Sequence, residues 1–308
     1  MLRVPVFLPR PLVGGLAFLA FVLNTLFWFP FIMATALVRL LVPARPVVRW
    51  SRRAAAAMSG AWIDFNTAGL RLAGDMRWFV TAPSDLRPDG WYLVTSNHQS
   101  WVDIVVLQWF LRRKIPMLKF FLKKQLFWVP LLGLAWWALE FPFMRRYPRA
   151  VLERRPDLRR RDLDTTRQAC ERFRETPVAL LNFLEGTRFA EHKRDRQGAP
   201  YRHLLAPRAG GVAQAVSSLG DRLDAWLDVT IHYPGGTPTF WHMISGQIPA
   251  VVVHAEAVPF DRAWAGRDYE TDAAYRDGLQ RFVRDLWARK DDRLAVMTEG
   301  DRVAPPVA

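Results

Sequence analysis

The sequence predicts an α/β fold, a mixed β-sheet flanked by helices, carrying an N-terminal membrane-embedded helix or helical hairpin. Three observations predict it. After about position 80, short apolar runs alternate with helical patterns, and strands mixed with helices argue for α/β layers. From Pro11 to Val38, 28 residues run without a charge, where about 20 suffice to span a bilayer as a helix. Apolar residues make up 51% of the 308, enough to form a core and to exclude global disorder. The expected organisation is a membrane anchor over residues 1–43, an amphipathic connector over 44–80 and one main domain over 81–308.

The uncharged run is longer than the apolar core of a cleaved signal peptide, about 7 to 15 residues, so it is read as retained. Pro30 interrupts it, with Asn24 in the stretch before, and proline kinks or breaks a helix. Two shapes stay open: one tilted spanning helix, or two shorter helices that dip into one leaflet and return. Arg3 and Arg10 precede the run. Arg39, Arg45, Arg49, Arg52 and Arg53 follow it, with no acid before Asp64. The larger basic excess on the C-terminal side predicts a cytoplasmic main body. Bases on both sides equally suit a hairpin whose ends face anionic headgroups.

The main domain follows in order. Residues 90–95 (Gly-Trp-Tyr-Leu-Val-Thr) read as a buried strand and residues 100–111 as a helix. Residues 115–120 and 139–144 read as further strands, the first tolerating Pro116 near its start. Between them residues 126–139 are apolar, too short for a span, either a core helix packing its tryptophans or a membrane-facing floor. Residues 163–174 form an amphipathic pattern that Asp162 or Asp164 caps. Residues 178–184 are a strongly apolar strand after Pro177, 211–218 open a helix, 225–233 and 250–258 are strands, and 273–288 are a closing helix. The Arg-rich stretch 145–161 reads as a solvated face.

Composition bounds the chemistry. A net charge of +14 and a pI near 10.7 call for an anionic partner: nucleic acid, anionic lipid or a phosphorylated substrate. The 14 Trp and 20 Phe fit a membrane interface. The single cysteine, Cys170, excludes an intramolecular disulfide framework and any Cys-rich zinc or iron–sulfur site. The histidines other than His98 are scattered without paired spacing, so no metal is expected.

Asn97-His98-Gln99-Ser100-Trp101-Val102-Asp103 lies where a predicted strand ends and a helix begins, the place where α/β folds build sites. An Asp in the first helical turn can fold back and hold an imidazole by one nitrogen. The other nitrogen is then left as a general base. Ser100-x-x-Asp103 is also a capping-box pattern, so Asp103 can instead serve backbone donors. A second cluster, Glu185-Gly186-Thr187-Arg188, ends the apolar strand. Gly186 permits a tight turn, the Arg188 fork suits phosphate, and Glu185 can orient an Arg or accept from a substrate hydroxyl. The bland alternative is a surface Glu–Arg pair. Phe141-Pro142-Phe143-Met144-Arg145-Arg146 brings an apolar strand to a double Arg, and residues 227–234 are a strand with one inserted carboxylate, Asp228. Pro207-Arg208-Ala209-Gly210-Gly211 before a helix is a weak anion-nest pattern.

In order and spacing these four blocks resemble the PlsC-type glycerolipid acyltransferases, a family that includes 1-acylglycerol-3-phosphate O-acyltransferases. Its His-x4-Asp block matches Asn97 to Asp103. Its apolar strand ending in Arg matches Phe141 to Arg146, with Arg146 as the equivalent. Its Glu-Gly-Thr-Arg block matches Glu185 to Arg188 without a change. The fourth block is looser and closer to the lysophospholipid branch with Asp-Val-Thr. The glycine that often opens the second block is replaced near Glu140. The resemblance covers roughly residues 80 to 235.

The resemblance implies acyl transfer from a thioester of coenzyme A or acyl carrier protein, as co-substrate, to a lysophospholipid hydroxyl, with 1-acyl-glycerol-3-phosphate as the first acceptor. Lysophosphatidylglycerol or lysocardiolipin types are the alternative. It implies His98 as general base and Asp103 as its orienter. Arg146 and Arg188 would hold phosphate and Glu185 a glycerol hydroxyl, with Asn97, Gly186 and Thr187 completing the substrate site. No cofactor and no metal are implied. Membrane phospholipids are the expected surroundings, at the cytoplasmic side of a bacterial inner membrane. A non-catalytic basic scaffold or a nucleic-acid binder would account for the charge but not for the first and third blocks together.

Overall fold

The computed structural model describes residues 8–144 and 173–303. Arg146, Cys170, the basic stretch 145–161 and most of the predicted helix 163–174 lie outside the described residues.

The uncharged run forms one helix, α1 (Arg10–Leu41), with Pro30 inside it. The alternative of a break within the run is therefore not what forms. Proline there removes only one N–H donor, and α1 continues through it while packing along α2 on its other face, as through Asn24. At 1.5 Å per residue its 32 residues extend about 48 Å, and among the described residues α1 alone is long and apolar enough to cross a membrane. After three residues the chain returns as α2 (Arg45–Ala73). Among its buried positions, Ser51, Ala55, Ser59, Ile63, Asn66, Leu70 and Ala73 recur every three to four residues, with Gly60 beside them, which is one helical stripe. The small side chains among them allow close approach. Asn24, isolated in the apolar run, donates to Trp62 O at 2.9 Å and Asn66 Oδ1 at 2.8 Å, so its amide is satisfied by α2.

The sheet begins earlier than the sequence suggested. All of strand β1 (Arg77–Thr81) but its last residue falls in the predicted connector. Then come β2 (Tyr92–Ser96), α3 (Val102–Leu111), β3 (Leu118–Phe120), β4 (Leu122–Lys123), α4 (Leu132–Ala138) and β5 (Phe143–Met144). After a 3-10 turn at Phe173–Glu175 follow β6 (Ala179–Phe183), α5 (Glu191–Gln197) and α6 (Gly210–Leu219). Strand β7 (Ala225–His232), α7 (Phe240–Ile244), β8 (Ala250–Val258) and α8 (Ala273–Val303) complete the described chain. Six strands pair in the order β1-β8-β7-β2-β6-β3. Pairing is parallel throughout except between β7 and β8, so the sheet is mixed as expected. Strands β4 and β5 form a separate parallel pair.

Alternation along β2 splits the core. Tyr92 and Val94 face α3 with Val102, Val106, Leu107 and Phe110, while Leu93 faces α6 and α8 with Val212, Val216, Leu279 and Trp287. Every residue of β2 is buried, as a central strand covered on both faces requires. Val13 and Ala17 of α1 and Leu70 and Ala73 of α2 join the α3 side, which fixes the helical hairpin to the domain. The 126–139 stretch is not a core helix packing its tryptophans, since Trp128 is 80% exposed. Its helical part, α4, rests on α1 through Ala138 against Ile32 and Ala36.

Candidate active site

Strands β6, β2 and β7 are neighbours running the same way, so the loops after their C-terminal ends converge. The first loop, residues 97–101, is pinned by its own polar groups. Asn97 is fully buried; its amide donates to Ile231 O and accepts from Ile231 N, both at 2.9 Å. That double bond ties the loop to β7. Asn97 therefore braces the loop against β7. Ser100 Oγ donates to Pro238 O at 2.5 Å and accepts from Val102 N at 3.2 Å.

Asp103, in the first turn of α3, is fully buried. Its Oδ2 accepts from His98 Nδ1 at 2.9 Å and from the N–H groups of Gln99 and Ser100 at 2.6 and 2.8 Å. Its Oδ1 accepts from the Tyr233 hydroxyl at 2.7 Å. The two readings of Asp103 are thus both realised: one carboxylate holds the backbone of the loop and the imidazole. Burial and the Asp103 charge push the Tyr233 hydroxyl well above its ordinary range, which keeps it a donor.

With Nδ1–H given to Asp103, the imidazole carries its lone pair on Nε2. Nε2 has no hydrogen-bond partner among the described residues, and the side chain keeps 15% exposure. The ring lies flat on Phe183, centroids 4.0 Å apart and planes 15° apart, so two rotations are fixed by packing and one hydrogen bond. The backbone of His98 is held as well: its N–H donates to Glu185 Oε1 at 2.8 Å and its carbonyl accepts from Phe189 N at 2.7 Å.

Glu185 is fully buried, and its second oxygen accepts from Leu205 N at 3.0 Å. Each oxygen is engaged by one backbone N–H, so Glu185 joins the His98 loop to residue 205. Burial pushes its acid up to about 8, against the pull of the two N–H donors and of Lys290. Gly186 stands at φ +68°, and an added Cβ would meet the Arg208 side chain at 3.4 Å, a turn that glycine makes without strain. Thr187 Oγ1 accepts from Lys193 Nζ at 3.0 Å. Arg188 is exposed, its guanidinium 5.0 Å over the ring of Trp101, which places a cation beside the His98 loop. Exposed Arg208 joins it at the same turn. Arg146 lies outside the described residues.

Support from the closing helix was invisible in the sequence, where the pattern stops at residue 288. The structure carries α8 on to Val303. Trp287 Nε1 donates to Leu205 O at 2.9 Å, and Asp291 accepts from Arg202 N and His203 N at 2.8 and 2.7 Å. These bonds fix the segment that donates to Glu185. Lys290, fully buried, reaches Asp228 Oδ1 at 3.0 Å and Val229 O at 2.5 Å. Asp228 also accepts from Thr95 Oγ1 at 2.7 Å. Asp228, the carboxylate noted in the fourth block, is thus a buried structural partner behind the sheet.

Comparison with known proteins agrees with this arrangement. Residues 77–234 match the family described as Acyltransferase, a span that begins at β1 and ends beside Tyr233. Lysocardiolipin acyltransferase 1 of Danio rerio is 30% identical over 296 residues, covering 91% of this chain and 70% of that protein. The human 1-acyl-sn-glycerol-3-phosphate acyltransferase delta is 25% identical over 210 residues, covering 61% of this chain and 53% of that protein. The crystal structure of the 1-acyl-sn-glycerophosphate acyltransferase PlsC from Thermotoga maritima superposes with a TM-score of 0.53 at 18% identity, over 91% of this chain and 98% of that one, a likeness of fold. The four sequence blocks, the sheet that gathers three of them and these matches lead to one statement: the chain belongs to the PlsC-type glycerolipid acyltransferase family.

Proposed function

We propose that the protein transfers an acyl group from a coenzyme A or acyl carrier protein thioester to the free hydroxyl of 1-acyl-glycerol-3-phosphate, giving phosphatidic acid. The observation that carries the reading is the His98–Asp103 pair, 2.9 Å apart, with Nε2 unengaged. Nε2 takes the hydroxyl proton as the oxygen attacks the thioester carbonyl carbon. The tetrahedral oxyanion collapses, the C–S bond breaks, and the imidazolium returns the proton to the leaving thiolate. Asp103 stabilises the imidazolium in between, the role an acid plays in a triad, here without a nucleophilic serine. Because the thioester is already activated, no covalent enzyme intermediate is needed. The scheme uses no metal and no cofactor.

Arg188 supplies a cation for the acceptor phosphate, with Arg146 as its partner in the sequence pattern. Glu185 and Asn97 act indirectly, by holding the backbone that carries His98. Helix α1 anchors the enzyme where a lipid acceptor resides, with the domain on the cytoplasmic face of a bacterial inner membrane, as the basic excess after α1 favours.

The lysocardiolipin acyltransferases among the relatives favour a second reading, in which the acceptor is lysocardiolipin. The deciding experiment is acyl transfer by the purified full-length protein, offering labelled acyl-CoA or acyl-ACP with 1-acyl-glycerol-3-phosphate, lysocardiolipin and lysophosphatidylglycerol in parallel. The expected result is highest kcat/KM with 1-acyl-glycerol-3-phosphate and loss of transfer in His98→Ala. Preference for lysocardiolipin would select the second reading. Full transfer by His98→Ala would end both.

A further inference from the structure

At the far end of α3 from Asp103, three cations gather on one carboxylate. Arg52 grips Glu140 with Nε and Nη2 at 2.9 and 3.1 Å. Arg39 Nε stands 4.0 Å from the same carboxylate and Nη2 donates to Ala138 O at 3.0 Å. Lys119, half-buried and 4.8 Å over the Phe173 ring, is attracted by Glu140 and repelled by both arginines. The second acid nearby, Glu175, meets Arg52 alone and is 74% exposed. Arg39, Arg52, Lys119 and Glu140 line a cavity of about 460 Å3.

Among the described residues six bases line that cavity against two acids, Asp89 and Glu140. Arg112 and Arg113 share Asp64 outside it, at 3.0 Å each, and exposed Arg53 has no ion pair among the described residues. Partly buried cations in excess of anions are unfavourable unless something neutralises them. Part of the imbalance is relieved on Lys119, whose ammonium is pushed down to about 8 by burial and the two arginines. Glu140 is held at φ +59°, a left-handed conformation that side-chain-bearing residues rarely adopt. The Glu140 carboxylate is shared by Arg52 and Arg39, and among the described residues the lining bases still outnumber the lining acids.

The surroundings say what kind of anion fits. Helix α1, the one apolar enough to cross a membrane, ends at this site, and Leu37, Leu40 and Leu41 beside Arg39 are exposed, as is Trp137 of α4. A basic cavity that borders an exposed apolar surface matches a molecule with an anionic head and apolar tails. We propose that this cavity binds the phosphate headgroup of an anionic membrane phospholipid, its acyl chains lying along α1 and α4, as a lipid site separate from the catalytic loop. Bound there, the phosphate bridges the helical hairpin, through Arg39, Arg52 and Arg53, to Lys119 of the α/β domain.

The test titrates the full-length protein in neutral detergent with dihexanoyl phosphatidylglycerol by calorimetry, beside dihexanoyl phosphatidylcholine and inorganic phosphate. Saturable binding of phosphatidylglycerol, at least tenfold tighter than either control and weaker at higher salt, is expected. Lys119→Gln and Arg53→Gln should each weaken it about tenfold through loss of a charge-assisted contact, and Arg188→Ala should leave it unchanged. Thermal unfolding identifies a variant that fails to fold, and Arg53, exposed on α2, keeps the test available if Lys119→Gln does. Binding lost in Arg188→Ala and kept in both others would place the phosphate in the catalytic cleft and overturn the proposal. So would equal affinity for phosphatidylcholine, which means apolar contact alone, or equal affinity for inorganic phosphate, which means a small-anion site.

Discussion

Asp103→Asn separates the two duties that Asp103 performs. The amide is nearly isosteric, so packing around this fully buried residue is kept. Its oxygen can take the place of Oδ2 and still accept from His98 Nδ1, Gln99 N and Ser100 N, while the NH2 turns toward the Tyr233 hydroxyl, which then has to accept. Three bonds to a charged acceptor become bonds to a neutral one. At about 1 kcal/mol lost per bond, folding loses on the order of 3 kcal/mol. Catalysis loses something different: the negative charge 2.9 Å from Nδ1 that stabilises the imidazolium while His98 holds the proton. General-base catalysis contributes about 10² to 10⁴ in rate, or about 2.7 to 5.5 kcal/mol of barrier, and most of it should disappear. The assay is kcat with both substrates saturating, run beside thermal unfolding of the same preparation. Ser100→Ala is the control: it removes the bonds to Pro238 O and Val102 N and leaves the imidazole untouched. It should lower stability with little change in kcat. If Asp103→Asn behaved like Ser100→Ala, destabilised but turning over within about threefold of wild type, Asp103 would be a cap alone and the mechanism would fall.

Three further outcomes are expected. Arg188→Ala should raise KM for a phosphorylated acceptor roughly 10- to 150-fold, from loss of about 1.5 to 3 kcal/mol of charge-assisted contact, with KM for the thioester nearly unchanged; an equal effect on both substrates would remove Arg188 from the phosphate. Glu185 has its acid raised from 4.5 to about 8, so the folded state holds a proton that the unfolded state releases. Its contribution to stability is then complete below 4.5 and is lost as pH rises through about 8. Glu185→Gln, which cannot titrate, should flatten the fall in unfolding temperature across that window, and it should lower activity because the amide offers one acceptor where two backbone N–H groups need two; an unchanged slope would refute the assignment. Lys119, lowered from 10.5 to about 8, acts only above that window and with the opposite sign. A reporter fused after Ala308 should be active in the cytoplasm, and activity confined to the other side of the membrane would overturn the topology.

The sequence by itself determined whatever rests on short separations. The apolar runs of β2, β6, β7 and β8 need no distant information, and β8 forms where the sequence placed it, over Ala250–Val258. His98 and Asp103 are five residues apart across a strand-to-helix turn, so local geometry alone brings them together. Tertiary structure decided the rest, because its reasons lie far away along the chain. Pro30 does not break α1, since packing against α2 outweighs one missing bond. Strand β1 looks like connector because four of its five residues are exposed; it is a strand because β8 lies beside it in register. Glu185 reads as a substrate ligand until its partners, N–H groups 87 and 20 residues away, are known. Tyr233 gains its role from a carboxylate 130 residues distant. Lys290 and Asp291 sit in a charged run, Arg289 to Arg293, beyond the predicted closing helix. Only the fold shows that Asp228, Val229 and the backbone of Arg202 and His203 lie waiting for them, since a buried charge is tolerated only where opposite partners already stand.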